Sequence, residues 1–448
     1  MSGSNDSGRT GRTTSRRRLL QSVGLAATAS LAGCTLPGRG YDRSQEAFDP
    51  EPLPYDETYP DDDGVTMFRE GTRRLGYYPD AVVPESVEKE WSMPINEIGH
   101  TAAKASPRPT PDGETLIIPA DTGKVHAVRP DGEQVWTAQT GATNLGIHGT
   151  PLIVDGTAYV GGYDGAMYAF DVATGERVWK TSNWRLRGAL AIGSSPVYWD
   201  GVIYVVAEYN YPWQEPSGTA WALDAETGAP LWHDDRLWGM PHPSFAIDPA
   251  TERIITGSND GVCYCWEFPS MEFAWEFQTG AEIKGTIPTY EGKAFVGSWD
   301  GHFYCLDLED GSEEWSFETG EVIMSNPGID PDAGVVFMGS DDHHIYALDT
   351  ETGEELWSRN VGGHVIGSLS VTAESVLVGS YDTHLYALDK ETGAIRWRVP
   401  NNGHVTSEAV PHDGRVYYAE RADLSGYWSD AETVVETPGH AYCLGPES

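Results

Sequence analysis

The sequence predicts an all-β fold, an eight-bladed β-propeller of four-stranded antiparallel blades, from three observations. A motif recurs along most of the 448 residues at the roughly 40–45-residue period of propeller units. Runs of alternating apolar residues flank each copy and are separated by Asp-Gly or similar two-residue turns, as in a chain of hairpins. The copies are out of register at the two chain ends, which lets the ends complete one another.

The motif is clearest in Tyr346-Ala347-Leu348-Asp349, followed by Thr352-Gly353 and Trp357, and again in Tyr386-Ala387-Leu388-Asp389, Thr392-Gly393 and Trp397. Frames with the same 11-residue offset run from Tyr168 to Trp179, Trp221 to Trp232, Tyr264 to Trp275 and Tyr304 to Trp315. A shorter copy runs from His126 to Trp136, and Tyr442 opens a frame with no Trp after it. The structural anchors are therefore Trp91, Trp136, Trp179, Trp232, Trp275, Trp315, Trp357 and Trp397. Because Trp91 has no frame before it, the strand around it is expected to supply the outer strand of the last blade. Such a clasp removes the open edge of a linear array.

Each anchor is expected between neighbouring blades, where a large ring contributes up to about 4–6 kcal/mol of burial. The slot after the frame's aromatic residue calls for a small buried side chain. Cys265, Cys305 and Cys443 fall in it and read as buried apolar residues rather than ligands or disulfides.

The amino terminus is a different object. Residues 1–33 combine a basic stretch with Arg16 and Arg17, a short mild apolar run and Leu31-Ala32-Gly33-Cys34. The run is too short to span a bilayer and fits an export signal. The paired arginines resemble a twin-arginine signal, and Leu31-Ala32-Gly33-Cys34 resembles a lipobox, with Cys34 expected to carry lipid and to begin the mature chain. Residues 34–64 are Pro- and acid-rich, typified by Asp49-Pro50-Glu51-Pro52, and form a tether without a core. Residues 65–448 are the propeller.

Charge narrows the partners. The chain has 29 Lys and Arg against 68 Asp and Glu, a formal net charge of -39. Nucleic-acid binding through phosphate neutralisation is excluded. Acids spread over the whole chain, with few lysines, suggest a haloarchaeal-type, salt-adapted surface on which screening suppresses self-repulsion.

The repeat, together with the lead-in Met67-Phe68-Arg69 and Arg74-Leu75-Gly76-Tyr77, resembles the quinoprotein-like (PQQ-like) β-propeller family over about residues 65–448. The resemblance implies the fold but not the cofactor. Catalytic quinoprotein dehydrogenases of this family carry a vicinal Cys-Cys disulfide, Glu, Asn and Asp ligands for calcium and an Asp base. This sequence has no Cys-Cys dipeptide, so neither quinone nor calcium is expected and the chain reads as a non-enzyme. It is more similar to the lipoprotein branch typified by the BamB-type outer-membrane assembly scaffold. That branch implies a protein partner at the cell surface and anchoring outside the cytoplasmic membrane. The alternatives are a PQQ-dependent dehydrogenase of alcohols or sugars, or a polysaccharide or small-molecule binding module.

A partner is expected on the face carrying the connections between blades and the turns between second and third strands. Most of those turns are minimal, but the blade-3 turn contains Tyr209, Tyr211 and Trp213, and the blade-8 turn contains Arg421, Tyr427 and Trp428. Two inter-blade connections add Trp184, Arg185 and Arg187, and Arg236 and Trp238. Aromatic and Arg side chains on loops are the usual interface anchors. His100, His148, His364 and His404 recur near the starts of inner strands at unequal offsets, so no metal set is expected from them.

Overall fold

Eight sheets follow one another along the chain in a computed structural model that describes residues 64–98, 105–425 and 434–447. They belong to one compact unit, Asp42–Ser448; the other unit, Met1–Tyr41, lies outside the described residues. So do Arg16, Arg17, Cys34, His100, Tyr427 and Trp428. In each of blades 1 to 7 four consecutive strands pair antiparallel, running from the channel outward. Blade 1 is Arg108–Pro109, Leu116–Pro119, Lys124–Val128 and Gln134–Gln139, and blade 7 is Ser370–Thr372, Ser375–Gly379, His384–Asp389 and Ile395–Pro400. The propeller with eight four-stranded blades is as expected.

The eighth blade closes the ring. Its inner strands are Val410–His412, Arg415–Ala419 and Gly439–Pro446, and its outer strand is Val87–Asn96 from the other end of the chain. Register identifies this strand as an authentic fourth strand. Trp91 stands opposite Cys443, just as Trp357 stands opposite Ala347, Trp397 opposite Ala387 and Trp315 opposite Cys305. The small slot is therefore the cross-strand partner of the anchor tryptophan, where a larger side chain would collide with the indole.

Seven of the eight blade junctions reuse one contact. The indole N–H of Trp91 donates to the Pro130 carbonyl (2.8 Å), that of Trp136 to Val172 (2.7 Å), and that of Trp179 to Ala225 (3.0 Å). Trp275, Trp315 and Trp357 reach Leu308, Thr350 and Lys390 in the same way, and Trp397 reaches Pro84 just before the closing strand. Each acceptor belongs to the next blade. Most of these rings are half-buried, with only Trp232 and Trp275 buried, so the burial gain per anchor is below the upper bound derived from full burial.

The ring face lies against the glycine of the next blade's Thr-Gly step. A Cβ on Gly353 would sit 2.6 Å from a carbon of Trp315, and φ there is +71°. Glycine thus serves both the turn and the docked indole. Blade 4 departs from the pattern: Ser270-Met271 replaces Thr-Gly, Met271 takes φ 58°, and Trp232 packs edge-on against Trp266.

The apolar core lies between blades rather than under one layer. Ile117 and Val125 of blade 1 pack with Ile153 and Val160 of blade 2. The closing junction is built alike: Tyr417, Ala441 and Cys443 of blade 8 meet Leu116 and Ile118 of blade 1. The four described cysteines are free and buried, and burial pushes the Cys443 thiol up to about 12.

Two glycines of equal φ separate the two roles. Gly353→Ala must displace an indole, whereas Gly414, also at φ +71°, has nothing within 4 Å of its missing Cβ. Gly353→Ala is expected to destabilise by about 2–4 kcal/mol and Gly414→Ala by about 1 kcal/mol. Thermal melts of the two variants check the difference.

Candidate functional site

The channel is shaped first by the starts of the inner strands. At these positions the sequence places short hydrogen-bonding side chains, and they link the blades into a belt. The Ser106 N–H donates to Thr150 Oγ1 (3.1 Å), Thr150 N–H to Ser195 Oγ (2.9 Å), and Ser195 N–H to Ser244 Oγ (2.8 Å). The chain continues from Ser244 N–H to Thr286 Oγ1 (3.2 Å) and from Thr286 N–H to Asn326 Oδ1 (2.6 Å). Asn326 Nδ2 donates to Ser368 Oγ (2.8 Å), and Glu408 N–H returns to Ser106 Oγ (2.8 Å). These side chains are buried; Ser368 serves the Asn326 amide, and the others satisfy backbone donors that could not reach water.

The lead-in from Gly64 to Tyr78 crosses the channel as a strap. Val65–Thr66 pairs with Leu152–Val154 of blade 2, and Tyr77–Tyr78 runs parallel to Ser370–Thr372 of blade 7. Two fully buried arginines pin it. Arg69 donates to the carbonyls of Leu369 (3.1 Å) and Pro327, and Arg74 to those of Phe245 (2.8 Å) and Pro196 (3.0 Å). Guanidinium forks suit this role because they fill several carbonyls at once. Burial holds the Arg69 pKa below its ordinary value.

Above the strap lies a cavity of about 480 Å³ with Phe68 of the strap in its lining. Its walls include Tyr163, Trp299 and Tyr381, each placed just before the aspartate of a turn between second and third strands. Lys284 and Arg421 supply cations, and His148, His242 and His364 supply imidazoles. The Lys284 ammonium lies 3.8 Å from the centroid of the Trp299 ring, and burial lowers its pKa. Arg421 is buried, donating to Tyr381 Oη (2.5 Å) and Thr406 Oγ1 (3.0 Å). Two of the histidines expected near inner strands pack on tyrosines: His148 lies tilted on Tyr163 at 3.6 Å and His404 stacks on Tyr381 at 4.1 Å between centroids. Among the described residues no group of three or more His, Cys, Asp and Glu is placed to hold a metal.

The carboxylates of the Asp-Gly and related turns are engaged in structure. Asp300 accepts from Tyr304 Oη (2.8 Å), from Gly280 N–H of the preceding connection (2.6 Å) and from His302 N–H (2.9 Å). Asp342 repeats this with Tyr346, Gly320 and His344. Burial alone would raise both pKa values, yet these donors hold them below the ordinary range. The frame tyrosine is thus one half of a Tyr-Asp latch onto the preceding blade.

Of the residues expected on the partner face, several are brought together. Trp184 and Trp213 are 85% and 65% exposed, and Trp238 is 41% exposed. Tyr211 stacks on Trp213 with centroids 4.9 Å apart. Backbone bridges of Ala191 to Glu208 and Ser217 to Trp238 tie both connections to the blade-3 hairpin. Arg185 and Arg187 are exposed, the latter 2.7 Å from His233 Nε2. Three expectations need correction. Tyr209 is buried with its hydroxyl on the Leu186 carbonyl (2.7 Å), so it supports the connection from beneath. Arg236 is buried against Asp234 (2.7 Å) and the Phe273 ring, where pairing compensates its desolvation. Arg421 faces the cavity instead of the outer surface. Sequence reasoning missed Lys284, Trp299 and Tyr163. For Tyr163 and Trp299 the legible signal was the repeated position before each turn aspartate; Lys284 has no such position.

A family model described as "Outer membrane protein assembly factor BamB" matches residues 81–235, 216–328 and 324–429. The chain belongs to this family. BamB of Yersinia pestis is 29% identical over 181 residues, covering 37% of this chain and 43% of that protein. The quinohemoprotein alcohol dehydrogenase of Comamonas testosteroni is 31% identical over 177 residues, covering 37% of this chain and 24% of the enzyme. The chain thus spans less than half the length of these curated relatives. The crystal structure of BamB from Moraxella catarrhalis superposes with a TM-score of 0.59 at 18% identity, over 80% of this chain and 99% of that one.

A quinone with calcium would require the donor set that the family's catalytic members bring. The residues around this cavity do not fit it: Asp341 is the single carboxylate in the lining, and the described cysteines are buried within the blades.

His404 provides a pH test of the site's packing. Burial, reinforced by Arg421, keeps its pKa below the ordinary histidine value. The unfolded chain therefore takes up the proton first as pH falls. Stability from a neutral His404 is complete above about pH 6.5 and is lost below it. The melting temperature is expected to fall between about pH 7.5 and about pH 5.5, and to fall less in His404→Gln. An equal slope in the variant would contradict this.

Proposed function

We propose that the protein is a lipid-anchored, extracytoplasmic and non-enzymatic scaffold that binds a protein partner through its loop-rich face. The observation that carries the proposal is the exposed set Trp184, Trp213 and Trp238 on connections tied together around blade 3. Large aromatic surfaces held on a rigid frame, with Arg185 and Arg187 beside them, are what a partner's hot-spot residues pair with. Membership of the BamB family supports the scaffold class. In this proposal the signal carrying Arg16 and Arg17 exports the chain, and lipid on Cys34 holds it at the outer face of the cytoplasmic membrane. Residues 34–64 would then give the propeller reach, and no quinone or calcium is needed.

A dehydrogenase is the competing function, favoured by the similarity to the Comamonas enzyme. The two are separated by adding PQQ and calcium to the purified chain and measuring quinone absorbance and dye reduction. The scaffold proposal expects neither, and turnover would overturn it. On the binding side, the chain should retain a specific membrane protein in pull-downs from its own cells. Joint substitution of Trp184, Trp213 and Trp238 by Ala should abolish that capture without changing the melting temperature. Undiminished capture would refute the assigned face.

A further inference from the structure

The cavity above the strap holds two polar groups that the fold leaves without hydrogen-bond partners. The Lys284 ammonium is half-buried on the face of Trp299 and forms no ion pair or hydrogen bond among the described residues. The Trp299 indole N–H is buried and also lacks a partner. Desolvating an ammonium or an N–H without a partner is costly, and the chain has 68 acidic residues from which a carboxylate could have been supplied. Two acids, Glu282 and Glu208, act on the Lys284 charge without forming an ion pair with it. Glu208 is buried, 3.5 Å from Tyr163 Oη and 3.4 Å from His242 Nδ1, and Asp341 lies 3.7 Å from His364 Nδ1.

We propose that this cavity is a binding site for a small organic carboxylic acid, with its carboxylate on the Lys284 ammonium beside Trp299 and its apolar body among the cavity's aromatic walls. A charge-assisted hydrogen bond from the ammonium is the strong contact a carboxylate would make here. Phe68, Tyr163, Tyr381, Met324 and Ile366 line the rest, which favours a ligand with an apolar body over a bare inorganic anion. A volume of about 480 Å³ is in the range of small-molecule pockets. Arg421 adds a second positive charge to a lining that contains one carboxylate, on a protein of net charge -39. With the strap across the channel, entry is from the loop-rich face. The site does not depend on the scaffold proposal and carries no chemistry of its own.

The test is calorimetric titration of the full chain with 3-phenylpropionate, its neutral analogue 3-phenylpropionamide, and sulfate. The acid should bind with the amide at least about tenfold weaker and sulfate undetected. Lys284→Met should raise the Kd for the acid at least about tenfold. Lys284→Arg should retain binding, and Trp213→Ala on the outer hairpin should leave it unchanged. Equal affinity for acid and amide, equal binding by sulfate, or no binding of the acid would overturn the proposal. So would wild-type affinity in folded Lys284→Met. If that variant does not fold, the acid-to-amide comparison on the wild-type chain and on Lys284→Arg still decides.

Discussion

The docking of each anchor tryptophan onto the next blade is the contact on which the rest of the structure depends. A four-stranded blade has little core of its own, so its stability is a sum of contacts with its two neighbours. The indole N–H fills a carbonyl at the next blade's outer turn, and the ring face covers the glycine there. Near the axis, the hydroxyl and amide belt does the same for backbone donors that cannot reach water. Periphery and axis are thereby stitched with one repeating geometry. Trp397 donating to Pro84, and Trp91 to Pro130, show that geometry carried across the chain ends.

Closure has a functional consequence. The two ends of the channel differ because the lead-in is laid across one of them and pinned by Arg69 and Arg74. The other keeps the cavity, the long hairpin of blade 3 and the aromatic connections. The acidic background makes the cations there conspicuous. Arg187 sits beside His233 and Arg421 on Tyr381, while Lys284 lies on the face of an indole.

Much of the architecture was legible because it is periodic. The Trp anchors, the small slot and the unmatched ends led to eight blades and a closing strand, and the register of Trp91 with Cys443 bears this out. The roles of Tyr304 and Asp300 were less legible, since a Tyr-Asp latch onto a neighbouring blade involves partners far apart in sequence. Burial of loop residues was the poorest guide. Tyr209 and Arg236 have the composition of an interface, yet the first props a connection and the second is neutralised by Asp234. Exposure in an aromatic loop is settled by three-dimensional packing, which one sequence does not display. The strap was visible as a motif around Arg69 and Arg74, but its path across the channel follows from carbonyls contributed by several blades.

Ring closure by the amino-terminal strand is tested most directly by two truncations, followed by calorimetric melting. A chain beginning at residue 64 keeps both strap and closing strand, and it should melt at the temperature of the full chain in one transition. A chain beginning at residue 98 lacks Val87–Asn96, leaving Cys443 without Trp91 and exposing the edge of Gly439–Pro446. It should lose the single cooperative transition. Identical melts for the two truncated chains would contradict the account.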